Sequence, residues 1–176
     1  MIKENPKDIF KLGDQLGKGG FGVVYEAKMK KKPKGVKGDG KIAIKVMPHS
    51  NSHQRKYNLK EIEYLLKYKH TNIVDLQGAY LCDSDVWIVM ELLKGGTLTE
   101  ARNSHRFSEG QIGYIAHRLL KGIAFIHGHG LIHRDIESQN VCAKLTLHHS
   151  EAHILLFFLF FKWTGDDVCR WNNQAY

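Results

Sequence analysis

The chain has 176 residues, enough for one domain or slightly more, with a core that buries roughly 70% of the surface exposed in the unfolded form. Hydrophobic residues make up 43% and charged residues 25%, which excludes a largely disordered chain, and 17 Gly against 3 Pro exclude a collagen-like or Pro-rich one. The first residues lack the apolar core of a secretory signal, and the longest apolar run, 154–161, is far shorter than the roughly 20 residues of a spanning helix. We therefore expect a cytoplasmic protein without a transmembrane segment.

Most of the net charge of +8 lies in one short stretch. Residues 28–41 contain seven lysines and one acid, Asp39, which gives +6. Glycines and a proline in the same stretch predict a loop. A surface that stacks nucleic-acid bases needs aromatic residues, and none lies between these lysines. We expect a solvated connection and no nucleic-acid partner; a docking loop for an acidic protein is the alternative.

The pattern of alternating and β-branched residues predicts five strands in the first half of the chain. They are expected at 10–16, 21–27, 41–47, 73–81 and 86–92. The first two flank a glycine-rich turn, as in a hairpin. In the third, Ile42, Ile44 and Val46 are expected on one face, with Ala43 and Lys45 on the other.

Helical spacing predicts one helix among these strands and another after them. The first is expected at 58–69, with an apolar stripe of Leu59, Ile62, Leu65 and Leu66. The second begins at the capping-box sequence Ser108–Gln111 and ends near Gly128 and Gly130. Its core-facing stripe is expected to contain Ile112, Ile115, Ala116, Leu119, Leu120 and Ile123. Five strands with one helix, followed by helices, indicate an α+β fold in two parts.

A glycine pattern, G-x-G-x-x-G-x-V, begins at Gly17 and includes Gly19 and Gly22. Glycine allows backbone N–H groups to approach phosphate oxygens without a side chain between them. Alone this is weak evidence, because a plain hairpin turn can have the same spacing. A Rossmann-type dinucleotide site is excluded, because these glycines join two strands rather than a strand and a helix.

Lys45 follows these glycines and projects from the strand face opposite the isoleucines. Such a lysine can bind phosphates, although a lone strand lysine is more often a solvated charge. Glu61 precedes Leu65 by one helical turn, so it faces the sheet and can pair with Lys45. The competing Glu63 projects about 200° away around the helix.

The sequence His133-Arg134-Asp135-Ile136-Glu137-Ser138-Gln139-Asn140 matches H-R-D-x-x-x-x-N, the catalytic loop of protein kinases. The four motifs occur in the order and at the spacing of that family. From about residue 10 to 141 the chain therefore resembles a eukaryotic protein kinase. Segments 86–98 and 109–112 are most similar to the PAK branch of the sterile-twenty group of Ser/Thr kinases.

This resemblance implies a bilobal fold. It assigns 10–93 to an N-lobe with a five-stranded antiparallel sheet and one helix, 94–144 to an incomplete helical C-lobe, and 145–176 to an atypical hydrophobic tail. It implies ATP and Mg²⁺ as cofactors and a protein with Ser or Thr as substrate.

The resemblance also implies a role for individual residues. Asp135 would accept the proton of the substrate hydroxyl, Asn140 would bind Mg²⁺, and Lys45 and Glu61 would complete the catalytic set. The positions implied to bind nucleotide are Leu16, Gly17, Gly19, Gly22, Val24, Ala43, Lys45, Met90, Glu91 and Leu93. Of these, Met90 would be the gatekeeper and 91–93 the hinge; Leu16, Val24 and Ala43 are equally ordinary core residues.

Two departures from the family pattern indicate impaired transfer. Glu137 stands where Ser/Thr kinases have a lysine that steadies the transferred phosphoryl group. At roughly 4 Å and an effective dielectric near 20, one such charge interaction is about 4 kcal/mol, which corresponds to about a thousandfold in rate. In addition, no Asp-Phe-Gly follows Asn140, and Asp166 or Asp167 lies in a sequence that does not match that motif.

Three interpretations therefore stay open. The chain is an ATP-dependent Ser/Thr kinase fragment, a non-catalytic nucleotide-binding or interaction module, or a product without a stable fold. The apolar stripe of the second helix needs helical partners that the sequence does not contain. We therefore expect a truncated or alternatively spliced product, or a gene model that reads through a splice boundary.

Overall fold

The structure is a computed structural model that describes residues 1–19, 22–31, 40–144 and 153–156. The chain divides into two compact units. Unit 1 contains residues 1–69 and 74–93, and unit 2 contains residues 70–73 and 94–176. Among the described residues, no helix is both long and apolar enough to cross a membrane.

Unit 1 is built on a five-stranded antiparallel sheet, with strand order β1-β2-β3-β5-β4. The strands are β1 (Phe10–Gly19), β2 (Gly22–Met29), β3 (Lys41–Pro48), β4 (Leu76–Cys82) and β5 (Asp85–Glu91). The helices of this unit are α1 (Pro6–Ile9) and α2 (Ser52–Lys67). The predicted α+β class and antiparallel sheet are confirmed.

The fourth strand begins later than predicted, at Leu76 instead of residue 73. Residues 70–73 form a turn in which the Ile73 N–H donates to His70 O at 3.0 Å, and they belong to unit 2. Ile73 and Val74 are buried, so their hydrophobicity alone could not distinguish this turn from a strand.

The hydrophobic core of unit 1 lies on one face of the sheet. Its buried members are Phe10, Ala27, Ile42, Ile44, Cys82, Trp87 and Val89. Val46 packs against them, which confirms the predicted face of β3. Ala43 and Lys45 on the other face are also buried, so β3 is covered on both sides.

The helix α2 begins at Ser52, whereas apolar periodicity predicted a start at residue 58. Asn51 caps it: the Asn51 side chain accepts from the Gln54 N–H at 2.9 Å, and the Gln54 side chain accepts from the Asn51 N–H at 3.4 Å. The first turns are polar, so hydrophobic spacing did not reveal them. The signal that could have found them is the capping-box pair at 51 and 54.

The buried stripe of α2 also differs from the predicted one. Its buried residues are Asn58, Ile62 and Leu65, whereas Leu59 is 46% and Leu66 is 57% exposed. Adjacent residues of a helix lie about 100° apart, so a stripe centred on 58, 62 and 65 turns its neighbours toward solvent. The prediction that Leu59 and Leu66 belong to the stripe is wrong.

In its described residues, unit 2 contains two helices, a short 3-10 turn and a pair of antiparallel strands. These are α3 (Leu98–Ser104), α4 (Glu109–Gly128), the 3-10 turn (Ser138–Asn140), β6 (Val141–Lys144) and β7 (His153–Leu156). The predicted capping box of Ser108 and Gln111 is present at the start of α4. The end of α4 at Gly128, followed by Gly130 with φ of 73°, agrees with the prediction.

The apolar stripe of α4 is buried only in its second half. Gly122 and Ile126 are buried, and the ring of Phe125 stacks on His70 with centroids 4.8 Å apart. In the first half, Ile112 is 54% and Leu120 is 61% exposed. Among the described residues, the packing of α4 is therefore concentrated near the helix C-terminus, and the predicted stripe residues Ile112 and Leu120 lie outside it.

The hairpin of β6 and β7 was not predicted. It pairs Val141 with Leu156 and Lys144 with His153. Only residues 153–156 of the predicted hydrophobic tail belong to the described part of the chain, so the rest of that prediction lies outside the described residues.

We predict that the neighbouring leucines of α2 differ sharply in their contribution to stability. Leu65→Ala should lower the free energy of unfolding by about 2–4 kcal/mol, because Leu65 is buried and its truncation leaves a cavity. Leu66→Ala, the matched control, should change it by less than about 0.5 kcal/mol. Urea unfolding followed by circular dichroism measures both; equal losses would contradict the stripe described above.

Candidate active site

Lys45 is the central candidate residue of unit 1. It lies in β3, its side chain is fully buried, and its Nζ is 2.7 Å from Glu61 Oε1 on α2. The predicted pairing of these two residues is therefore present in the structure. Glu63, the weaker candidate, is exposed.

The surroundings of this pair are unfavourable for charge. Burial raises the pKa of the Glu61 carboxyl. The positive charge of Lys45 and its hydrogen bond act in the opposite direction but are the smaller effects. Taking two ions out of water costs free energy that their mutual attraction often only just offsets. A buried ion pair of this kind is therefore weak evidence for a stabilising role, and buried ionisable pairs also occur at functional sites.

Strand register places an apolar surface beside the ammonium group. Val24 lies directly opposite Lys45 on the neighbouring strand, and Ala43 lies opposite Met90. Residues directly opposite in an antiparallel pair project to the same face of the sheet. Val24, Ala43, Lys45 and Met90 therefore share the face opposite the hydrophobic core, and the three apolar members are buried.

The other side chains predicted to contact nucleotide, Leu16, Glu91 and Leu93, differ from one another in face and burial. Glu91 pairs with Ile42, so it belongs to the core-side set, and its carboxylate accepts from the Asp75 N–H at 3.4 Å. Leu93 is buried after the end of β5, whereas Leu16 in β1 is 50% exposed. Strand register thus brings four predicted side chains to one face and places Glu91 on the other.

Two glycines of the G-x-G-x-x-G pattern, Gly17 and Gly22, differ in how much space the chain leaves for a side chain. Gly22 has a φ of 146°, and a Cβ there would lie 2.3 Å from Val46 O, so the protein itself requires glycine. A Cβ at Gly17 would have nothing of the chain within 4 Å. The open space at Gly17, which pairs with Val24, fits a bound group that must approach the backbone. Gly19 pairs with Gly22 at the end of the hairpin.

Unit 2 holds the second group of candidate residues, around the Asn140 side chain. Asn140 is buried, and its Nδ2 donates to Asp135 O at 3.0 Å, Asp135 Oδ2 at 3.1 Å and Glu137 Oε1 at 3.3 Å. One amide thus orients both carboxylates of the loop. Because Nδ2 is directed at them, the amide oxygen is on the other side of the group and is the atom that could bind a cation.

The backbone before Asp135 is held by His133. The Asp135 N–H donates to His133 Nδ1 at 3.2 Å, which places the ring proton of neutral His133 on Nε2. Between them, Arg134 has a φ of 65°, a left-handed conformation that costs a non-glycine residue on the order of 1 kcal/mol. His133 is buried, and burial lowers its pKa to about 4, against the opposing effect of Asp135.

The residues present fit a nucleotide and a metal only in part. A buried ammonium, an adjacent apolar face and the open position at Gly17 suit a nucleotide. For a metal, no group of three or more His, Cys, Asp or Glu side chains in the described ranges could hold the ion by itself. Mg²⁺ is commonly held by few protein oxygens together with substrate phosphates, so an amide oxygen of Asn140 suits that mode.

Comparison with known proteins identifies the family of the chain. Residues 10–154 match the sequence model of the family described as protein kinase domain. The chain belongs to the protein kinase family. The predicted resemblance is thereby confirmed for most of the described chain.

Its curated relatives are Ser/Thr kinases. The chain is 42% identical over 136 residues to the probable serine/threonine-protein kinase mkcB of Dictyostelium discoideum, covering 77% of this chain and 18% of the relative. It is 36% identical over 141 residues to STE20 of Candida glabrata, covering 80% and 15%. It is 32% identical over 142 residues to shk1/pak1 of Schizosaccharomyces pombe, covering 81% and 21%. The chain thus spans about a fifth or less of the length of these relatives.

Sequence reasoning missed two contacts of this kinase domain. One is the bond from the Asn140 amide to Glu137, because the family pattern has a lysine at that position and suggests no such contact. The other is the approach of Gly95 to β6, where the Gly95 N–H donates to Ala143 O at 2.9 Å. A Cβ at Gly95 would lie 2.4 Å from that oxygen, so the paired glycines at 95 and 96 were the available signal.

We predict that His133 titrates near pH 4 in the folded chain. Its pKa is lowered from 6.5 to about 4, so the unfolded chain binds more protons between these values and stability falls as the pH decreases from 6.5 to 4. The full loss is about 3 kcal/mol. Histidine Hε1 shifts measured by NMR against pH check the pKa, with His133→Asn to assign the signal and to retain an acceptor for the Asp135 N–H. A His133 pKa near 6.5 would contradict this.

Proposed function

We propose that this kinase domain binds Mg-ATP and that its transfer of phosphate to Ser or Thr of a protein is strongly impaired. The observation that supports nucleotide binding is the buried contact of Lys45 with Glu61 on the sheet face that also contains Val24, Ala43 and Met90. Membership of the protein kinase family makes phosphoryl transfer the reaction to consider. The activity, substrates and partners of the longer relatives are extended to this chain only as part of this proposal.

Each candidate side chain has a role in this proposal. When bound, ATP supplies the transferred phosphoryl group and Mg²⁺ neutralises charge on the phosphates. Lys45 binds phosphate oxygens while Glu61 keeps its ammonium in place. The apolar side chains of Val24, Ala43 and Met90 contact the base.

The roles in unit 2 follow from the loop geometry. Asp135 accepts the proton of the substrate hydroxyl, and its carboxylate is already oriented by Asn140 Nδ2. Asn140 offers its amide oxygen to the metal. The left-handed Arg134 and the bond to His133 fix the backbone on which Asp135 is placed.

Glu137 supports the proposed impairment. Its Oε1 and Asp135 Oδ2 accept from the same amide nitrogen, so a second negative charge lies beside Asp135, where the negatively charged phosphoryl group must meet the substrate hydroxyl. A lysine there would attract phosphate oxygens, whereas the carboxylate repels them. Glu137 is exposed, so solvent screening reduces the effect below the value for a buried pair. No Asp-Phe-Gly occurs anywhere in the sequence to supply the further metal ligand of the family.

The alternative function is a non-catalytic nucleotide-binding or interaction module. Glu137 and the missing Asp-Phe-Gly favour this alternative, because both oppose phosphoryl transfer and neither affects nucleotide binding at Lys45. The two functions differ only in whether any Asp135-dependent transfer occurs.

We predict that the chain binds Mg-ATP but transfers little or no phosphate to a generic basic protein. Mg-ATP at 100 times its Kd should stabilise the fold by ~2.7 kcal/mol, and Lys45→Met should abolish this gain. Glu137→Lys should raise transfer yet leave it well below the roughly 1–100 s⁻¹ of ordinary kinases, because the second metal ligand is still missing. Thermal unfolding with and without Mg-ATP, and radiolabelled phosphate transfer, are the measurements.

The matched control is Asp135→Asn, which keeps an oxygen for the Asn140 amide but cannot accept the hydroxyl proton. It should remove any transfer that Glu137→Lys produces. Efficient, Asp135-dependent transfer by the unmodified chain would contradict the proposed impairment. A folded chain that millimolar Mg-ATP does not stabilise would contradict nucleotide binding.

A further inference from the structure

We propose that Asn58 is a positioning residue that sets the rotation of α2 about its axis and so holds Glu61 within reach of Lys45. The effect of this positioning on nucleotide binding rests on the proposed function, but the positioning itself depends only on contacts inside unit 1. The argument begins with a polar side chain in the buried stripe of a helix.

Asn58 is 6% exposed and shares its stripe with the buried Ile62 and Leu65. Its Nδ2 donates to Pro48 O at 2.8 Å and lies 3.2 Å from His49 Nδ1. His49 is itself buried. A leucine at position 58 would complete an apolar i, i+4, i+7 stripe, so a polar residue there needs another reason.

The two acceptors of Asn58 belong to the chain that leaves β3. Pro48 is the last residue of that strand, and Lys45 lies three residues before it in the same strand. The Asn58 amide therefore connects the helix that holds Glu61 directly to the strand that holds Lys45. Arg55 adds to this connection, since its Nε donates to His49 O at 3.1 Å and its Nη2 to Ser50 O at 3.2 Å.

Asn58 and Glu61 are neighbours on the helix surface. Three residues correspond to about 300° of rotation and about 4.5 Å along the axis, so the two side chains lie within about 60° of each other. Any rotation that displaces the Asn58 amide displaces Glu61 in the same direction. The position of one side chain therefore constrains that of the other.

The apolar contacts of α2 cannot impose the same constraint. Burial of Ile62 and Leu65 is favourable over a range of helix orientations, because the hydrophobic effect has no direction. A hydrogen bond loses most of its strength when the distance or angle departs from a narrow range. Leaving Pro48 O without its donor in a buried place is also unfavourable. The amide thus selects one rotation among those that the apolar contacts allow.

His49 is suited to this role in its neutral form. Nδ1 can accept a hydrogen bond from the Asn58 amide only when that nitrogen is unprotonated. Burial, together with the nearby Arg55 charge, lowers the pKa of His49 and favours the neutral ring. The bond to Pro48 O and the contact with His49 then act in the same direction.

The test measures how accessible Lys45 is to an acylating reagent, with Lys56 on the exposed part of α2 as the internal reference. Asn58→Leu should raise the acylation rate of Lys45 relative to Lys56 by about fivefold, because Glu61 no longer holds the ammonium in place. Glu61→Gln should give a similar increase, and the double substitution should add nothing further. Glu63→Leu, an exposed polar-to-leucine change in the same helix, is the matched control and should have no effect. Peptide mass spectrometry after brief labelling gives all rates.

A folded Asn58→Leu variant whose Lys45 reacts at the wild-type rate would overturn the proposal, as would additive effects of Asn58→Leu and Glu61→Gln. If Asn58→Leu does not fold, Asn58→Gln moves the same amide by one methylene and should raise Lys45 acylation by a smaller factor; no increase there overturns the proposal too.

A separate arm distinguishes this proposal from the proposed function. Where the wild-type chain binds Mg-ATP, Asn58→Leu should weaken its Kd by about tenfold, because only the fraction of molecules with a correctly placed Glu61 is competent. Where the wild type does not bind Mg-ATP, the proposed function fails, and the acylation rates still decide the positioning role of Asn58.

Discussion

The buried ammonium group of Lys45 is the constraint that the packing of α2 against the sheet of unit 1 must satisfy. A fully buried ammonium needs a partner, and the partner comes from a helix that must be held at one rotation against the sheet. That requirement explains a polar residue at position 58 in an otherwise apolar stripe. The strand that holds Lys45, β3, is buried on both faces, with the core on one side and Lys45 on the other.

The loop of unit 2 depends on one amide in a comparable way. Asn140 is buried and orients two carboxylates, while His133 and the left-handed Arg134 fix the backbone between them. This arrangement preserves the placement of Asp135 even though Glu137 has replaced a lysine. Asp135 keeps its contacts with His133 and Asn140 in a loop that has a carboxylate at position 137, because the Asn140 amide nitrogen donates to both carboxylates.

The faces of β3 and the pairing of Lys45 with Glu61 could be predicted, because alternation and helical rotation are local geometric rules. The boundary of α2 could not be predicted from apolar spacing, since its first turns are polar. Leu59 and Leu66 were misplaced because an amide, Asn58, occupies the centre of the stripe, and hydrophobicity alone counts only apolar residues. The hairpin of β6 and β7 escaped prediction because a short unbroken apolar run has no period. The contact of Asn140 with Glu137 depends on tertiary geometry that a motif does not contain.

The central claim is that the buried pair serves nucleotide binding more than stability. The most direct measurement is the free energy of unfolding of the double variant Lys45→Met with Glu61→Leu, without and with Mg-ATP. Without nucleotide, the double variant should be at least as stable as the wild type, whereas each single substitution should lose about 3–5 kcal/mol because one charge stays buried without its partner. With Mg-ATP, only the wild type should gain stability. A double variant that is several kcal/mol less stable without nucleotide, or that Mg-ATP still stabilises, would contradict the claim.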